Sequence, residues 1–187
     1  MPRKYYRRKY SYRPKKKWAS NFYTISDEIP IPGLPAGQQF SESWYVKEIV
    51  HNPQYNPASA SVGILKVKNV KLQLAGIGIL DHSDRLNLSM QVAIVFLPEG
   101  VTADAGLLFR HPEWIMAYKM ISVDTDMDKP ISFSISSRLA RNLNSGDRIG
   151  IAYFARLNTN LAAAPAQNIG ATVMPVYVSV QYWTSVN

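Results

Sequence analysis

The run LNLSMQVAIVFL, from Leu86 to Leu97, decides the architecture. Leu86, Leu88, Met90, Val92, Ile94 and Phe96 recur at every second position, set first against Asn87, Ser89 and Gln91 and then against Ala93, Val95 and Leu97. Alternate residues of a strand point to opposite faces, so this pattern predicts a strand buried on one face at its start and on both at its end.

The same period of two returns on either side. Ile131, Phe133 and Ile135 alternate with Ser132, Ser134 and Ser136; Ile149, Ile151, Tyr153, Ala155 and Leu157 do likewise, as do Val176, Val178, Val180 and Tyr182. Each reads as a strand with one face on a core. Between Gly63 and Leu80 the apolar series Leu65, Val67 slips by one to Val70, Leu72, Leu74, and a bulge near Lys68 and Asn69 would keep one face inward throughout. Weaker strands are read at Asn21 to Ile31, Ser43 to His51 and Glu113 to Val123. In the last, Trp114, Met116, Tyr118 and Met120 alternate, although Met and Ala also suit a helix. Turn-forming clusters separate these segments at Pro30 to Gly37, Asn52 to Pro57, Asp81 to Arg85, Pro98 to Gly106, Asp124 to Pro130, Asn142 to Asp147 and Asn158 to Asn168. No amphipathic helix intervenes to connect parallel strands, so the sheet should be antiparallel. The expectation is an all-β chain: a single eight-stranded antiparallel jelly roll, a two-sheet sandwich, over residues 19–187.

Residues 1–18 are expected to be a disordered basic N-terminal arm. The 187-residue chain has a formal charge of +8, yet residues 1–17 hold nine cations, Arg3, Lys4, Arg7, Arg8, Lys9, Arg13, Lys15, Lys16 and Lys17, and no acid. The remaining 12 cations face all 13 acids, so the body is close to neutral. A segment that repels itself and lacks aliphatic side chains cannot pack a core. Tyr5, Tyr6, Tyr10, Tyr12 and Trp18 set it apart from a plain solubilising tail. Interleaved cations and rings suit single-stranded nucleic acid, where ammonium and guanidinium groups pair with phosphates and rings stack on unpaired bases. All fourteen of these side chains are candidate nucleic-acid-binding residues. Arg7 to Lys9 and Lys15 to Lys17 are also basic clusters that nuclear import could use.

Sites of chemistry are scarce. With no cysteine, there is no disulfide framework, thiolate zinc site or cysteine nucleophile. Asp81, His82, Ser83 and Asp84 contain the residue types of a hydrolase triad, but four consecutive residues between strands read as turn chemistry. Asp124, Asp126 and Asp128 begin like a calcium loop, yet Lys129 stands where glycine is needed and Ile135 where glutamate is needed. His51, His82 and His111 lack metal-ligand spacing, Gly76 and Gly78 are followed by no phosphate-binding helix, and Asn87 with Ser89 matches a glycosylation acceptor in pattern only. No catalytic residue, metal site or cofactor is expected. No apolar run approaches the roughly 18 residues of a membrane helix, and no secretory signal follows the basic start, so a soluble chain without membrane insertion is expected.

Three further strings carry a resemblance: SRLARNLNSGD at Ser137 to Asp147, FLPEG at Phe96 to Gly100 and HPEWIM at His111 to Met116. With the basic arm, they resemble the capsid proteins of small circular single-stranded DNA viruses, the circovirus-like group. The similarity covers the arm and, most clearly, Leu86 to Leu157. It implies a jelly-roll subunit, a homo-oligomer of about 60 copies forming a T=1 icosahedral shell, a single-stranded DNA genome held by an inward arm, a host nuclear import receptor, and an unknown cell-surface receptor. Virion and host nucleus are the implied locations. The chain is short for that group, which implies trimmed surface loops. Within SRLARNLNSGD itself, a strand end and a turn at Asn144 to Asp147 are read, with Arg138 and Arg141 available for partner or phosphate contact. The alternative on the same residues is a cellular single-stranded nucleic-acid-binding all-β protein, and a third reading is a β-sandwich enzyme or lectin with exposed rings such as Trp183.

Overall fold

The computed structural model describes residues 17–52, 63–77, 86–102, 110–123, 130–159 and 167–186. These hold nine strands: β1 (Ala19–Ile31), β2 (Phe40–His51), β3 (Leu65–Ile77), β4 (Leu86–Leu97), β5 (Ile115–Val123), β6 (Pro130–Ser137), β7 (Arg141–Leu143), β8 (Arg148–Thr159) and β9 (Thr172–Val186). One antiparallel sheet has the order β1-β9-β3-β6, with β7 also on β3, and the second has the order β2-β8-β4-β5. β1 pairs with β9, β2 with β8, β3 with β6 and β4 with β5, so the chain is one long hairpin wrapped into two layers. That topology is the jelly roll.

Eight long strands match the expected number, and the short β7 is an addition. It lies within SRLARNLNSGD, where Arg141–Leu143 pairs with Val67 to Leu65. Three residues show too little alternation for a strand signal in sequence. The proposed bulge in β3 is present. Pairing with β9 jumps from Lys68↔Trp183 to Lys71↔Gln181, and Asn69 takes a left-handed φ of 51°. Asparagine tolerates that conformation better than any β-branched neighbour would. Val67, Val70, Leu72 and Leu74 are therefore all buried.

The core lies between the sheets. Leu88, Met90, Val92 and Ile94 of β4 meet Ile149, Ile151, Tyr153 and Leu157 of β8 and, from the first sheet, Val176, Val178 and Val180 of β9. Each fully buried aliphatic side chain contributes about 1.5 to 3 kcal/mol. The C-terminal half of β4 is buried on both faces as its sequence predicts, because Ala93, Val95 and Leu97 form a second cluster with Ala152 on the opposite side of the sheet. In β5 the alternating Trp114, Met116, Tyr118 and Met120 do not mark one face. The pairing shifts between Ile94↔Ala117 and Val95↔Ile115, so Met116 is the extra residue and the phase reverses. Ala117 and Ile121 pack on the core, while Tyr118 and Met120 are 49% and 61% exposed. Ahead of β5, Pro112–Trp114 forms a short 3-10 turn.

Polar groups tie the layers together. Asp27 of β1 is buried and accepts hydrogen bonds from the Tyr45 hydroxyl at 3.1 Å and Lys47 Nζ at 3.5 Å, both on β2. The Asp27 charge holds the Lys47 ammonium above its ordinary value. Tyr23 donates to the Ile49 carbonyl at 2.7 Å. Tyr153 stacks on Tyr45 at 6.0 Å, and its buried hydroxyl oxygen has no hydrogen-bond partner among the described residues.

Burial pushes the phenols of Tyr153 and Tyr23 well above their ordinary range. The folded chain thus keeps protons that the unfolded chain releases near pH 10. Stability from these groups is complete below about pH 10 and falls as pH rises beyond it. Denaturant titrations at pH 8 and 10.5 should show that loss. Tyr153→Phe should reduce it, leaving the Tyr23 part, and, by removing an unpartnered buried hydroxyl, raise stability at pH 8 by about 1 kcal/mol. A loss above about 2 kcal/mol at pH 8 would refute this account of the hydroxyl.

Candidate functional site

Of the fourteen predicted nucleic-acid-binding residues, Arg3, Lys4, Tyr5, Tyr6, Arg7, Arg8, Lys9, Tyr10, Tyr12, Arg13, Lys15 and Lys16 lie outside the described residues. Lys17 is exposed and Trp18 half-buried, immediately before Ala19, where β1 begins its pairing with Thr184. Lys68 of β3 places its ammonium 3.9 Å from the centroid of the Trp18 ring. A cation over an indole face is attractive by about 0.5 to 1 kcal/mol at exposed sites. The root of the arm is thereby held against the outer side of the first sheet. Lys68 was not among the residues expected at the site. Its signal was nonetheless present, since Lys66 and Lys68 flank the inward Val67 and must face away from the core.

The three strings that carry the resemblance meet at one corner of the sandwich. Asp147 is buried and accepts backbone N–H bonds from Asn144 at 2.8 Å and Glu99 at 3.1 Å. Ser137 donates through Oγ to the Met116 carbonyl at 2.9 Å. Arg141 donates to the Glu113 carbonyl, and its guanidinium lies 5.3 Å from the Phe96 ring centroid. Asn52, fully buried at the end of β2, donates from Nδ2 to Leu143 O at 2.8 Å and Gly63 O at 3.3 Å. Its backbone exchanges two more bonds with Asp147 and Gly146. Gly146 has φ 84°, and a Cβ there would come within 2.6 Å of the Glu99 side chain. SRLARNLNSGD is thus a strand and turn, as read. The expectation for its arginines changes: Arg141 is engaged inside the corner, and Arg138 remains exposed.

The outer face of the second sheet is the other distinctive surface. Trp44 and Val46 of β2 and Ile115 pack on Ala93, Val95, Leu97 and Ala152. Trp44 lies 5.2 Å from Phe154, and the exposed Tyr118 and Met120 extend the apolar area across β5. Phe40 is also exposed, with the Arg156 guanidinium 4.3 Å from its ring.

Asp81, His82, Ser83, Asp84, Asp124, Asp126 and Asp128 lie outside the described residues. His111 stacks on Trp114 at 4.1 Å and is 2.8 Å from Glu113, while His51 lies 3.3 Å from Glu48. Among the described residues, no three His, Asp or Glu side chains come together to hold a metal ion.

No family model matches the sequence, and no curated protein matches it. Among solved structures, the chain is similar to mud crab tombus-like virus, with a TM-score of 0.42 and 11% identity over 100% of this chain and 89% of that one. It is similar to desmodium yellow mottle tymovirus, with a TM-score of 0.35 and 13% identity over 90% of this chain and 89% of that one. A decameric BFDV capsid protein gives a TM-score of 0.39 and 12% identity over 91% of this chain and all of that one.

Asn52→Ala would strand the Leu143 and Gly63 carbonyls in the corner. It should cost about 2 to 3 kcal/mol in denaturant unfolding, with the m-value unchanged. A change below about 0.5 kcal/mol would show that the corner is not held by this side chain.

Proposed function

We propose that the chain is the coat subunit of a small single-stranded DNA virus of the circovirus-like kind. About 60 copies build a T=1 shell, and the basic arm neutralises the packaged strand. The observation that carries this reading is the separation of surfaces. The excess positive charge lies in residues 1–17, while the outer face of the second sheet is apolar and presents Tyr118 and Met120. One surface suits a polyanion and the other a second copy. The jelly-roll topology and the corner formed by SRLARNLNSGD, FLPEG and HPEWIM support the same reading. Roughly 540 arm charges in such a shell favour a strand on the order of 10³ nucleotides, each with one phosphate. Residues 1–18 form the arm and 19–187 the shell domain. The arm's clusters also address the subunit to the host nucleus, and the assembled product is the virion.

Particle mass tests this. After nuclease treatment, light scattering should find particles near 1.3 MDa, about 60 copies of the 21.0 kDa chain, with protected nucleic acid. Tyr118→Glu with Met120→Glu should leave subunits that keep their β circular dichroism but no longer assemble. A wild-type chain that stays a monomer or small oligomer under all conditions would overturn the coat reading and favour a cellular nucleic-acid-binding protein.

The arm has its own test. Among the described residues the buried core begins at Ile29, and deleting residues 1–17 leaves all of it in place. The deletion should reduce the slope of log affinity against log salt by about 6 for single strands, from nine phosphate contacts at about 0.7 each. Unchanged affinity and slope would show that the arm is not the genome contact.

A further inference from the structure

We infer that the outer face of the first sheet, where the arm joins it, is itself a binding surface for single-stranded nucleic acid. In β3 the inward residues are Val67, Val70, Leu72 and Leu74, so Lys66, Lys68 and Lys71 point away from the core. The bulge at Asn69 keeps all three on that face despite their uneven spacing. Register places aromatic side chains beside them. Trp183 of β9 lies between Ser20 of β1 and Lys68 of β3, and Gln181 lies between Phe22 and Lys71. Phe22 is 68% exposed, an unusual position for a phenylalanine without a partner surface.

The electrostatics of this face differ from those of the body as a whole. Among the described residues its only acid is Glu28, paired with Pro175 and six positions along β1 from Phe22, which is level with Lys71. At about 3.3 Å per residue, that is about 20 Å away. Lys66, Lys68 and Lys71 form no ion pair with an acid among the described residues. Around them stand Ser132, Ser134, Ser136, Gln73 and Ser179, neutral groups able to bond sugar or base edges. Ammonium groups meet phosphates here, and Phe22 and Trp183 offer ring faces to bases. An exposed ring selects for unpaired bases, whose faces are free to stack, without selecting their sequence. The Lys68 ammonium lies on the Trp18 ring, so this face reaches the residue from which β1 starts. This rests on the coat reading in one respect: in a shell, the packaged strand must reach the face beside the arm's root.

The test uses the full chain and a fluorescent thirty-nucleotide oligo-dT. K66Q/K68Q/K71Q should reduce the salt slope by about 2, from three phosphate contacts at about 0.7 each. R110Q/R148Q/R156Q, which removes as many cations away from this face, should leave it unchanged. F22S should weaken oligo-dT and oligo-U binding by about 5- to 150-fold with no change in slope, and should leave duplex binding unaffected. Equal slopes for the two triple variants, or an F22S effect that is the same on duplex, would overturn the proposal. Particle mass is read in parallel. If shells form but the slopes are equal, the patch is wrong and the coat reading stands; if no shell forms, the slopes still decide the patch.

Discussion

Asn69 stands in β3 with a left-handed backbone, between a half-strand that turns Leu65 and Val67 inward and one that does the same for Val70, Leu72 and Leu74. A strand has no freedom over which face each residue takes. Without the extra residue, one half would send its valines and leucines to solvent and its lysines into the core. The cost would be several kcal/mol for the aliphatic groups and more for each buried ammonium. β3 lies between β9 and β6, so its phase governs the packing of the whole first sheet. The same slip aligns Lys66, Lys68 and Lys71 outward, so one backbone feature sets both the core and the charge on its reverse.

A second constraint acts at the corner. Three stretches that are distant in sequence, around Asn52, Glu99 and Asp147, have polar groups that bond to one another. Buried polar groups are costly when unmatched, and such a network therefore admits few alternative arrangements of its turns. This gives SRLARNLNSGD a physical reason for its composition. Asp147 and Gly146 close the turn, Leu143 fills the core, and Arg141 spans Phe96 and the 3-10 turn at Pro112–Trp114.

Strand positions, the antiparallel two-layer architecture and the β3 slip were legible because period-two burial writes itself directly into sequence. Leu86 to Leu97 announces even its two-sided burial. Less was legible where the phase breaks without a polar marker. In β5, Met116, Tyr118 and Met120 are all apolar, so nothing in composition reveals that Met116 is the extra residue and that the other two face out. β7 is too short to alternate. At the candidate site, a near-neutral body concealed a basic face. Net charge averages over Asp27 and Asp147, which are buried, and over Glu42 and Glu48 on the other sheet. Only the register of β1, β9 and β3 brings Phe22, Trp183 and Lys68 together, and register is not written in any one segment.

The pairing of Ala19 with Thr184 carries a consequence for biosynthesis. The first strand has one neighbour in its sheet, and that neighbour is the last strand, so β1 cannot dock until Thr172–Val186 has left the ribosome. During translation the cationic leader therefore emerges long before the body that carries it can close. Such non-local closure is slow, so a nascent chain passes through an interval in which its cationic first residues have left the ribosome and its sheets are unfinished.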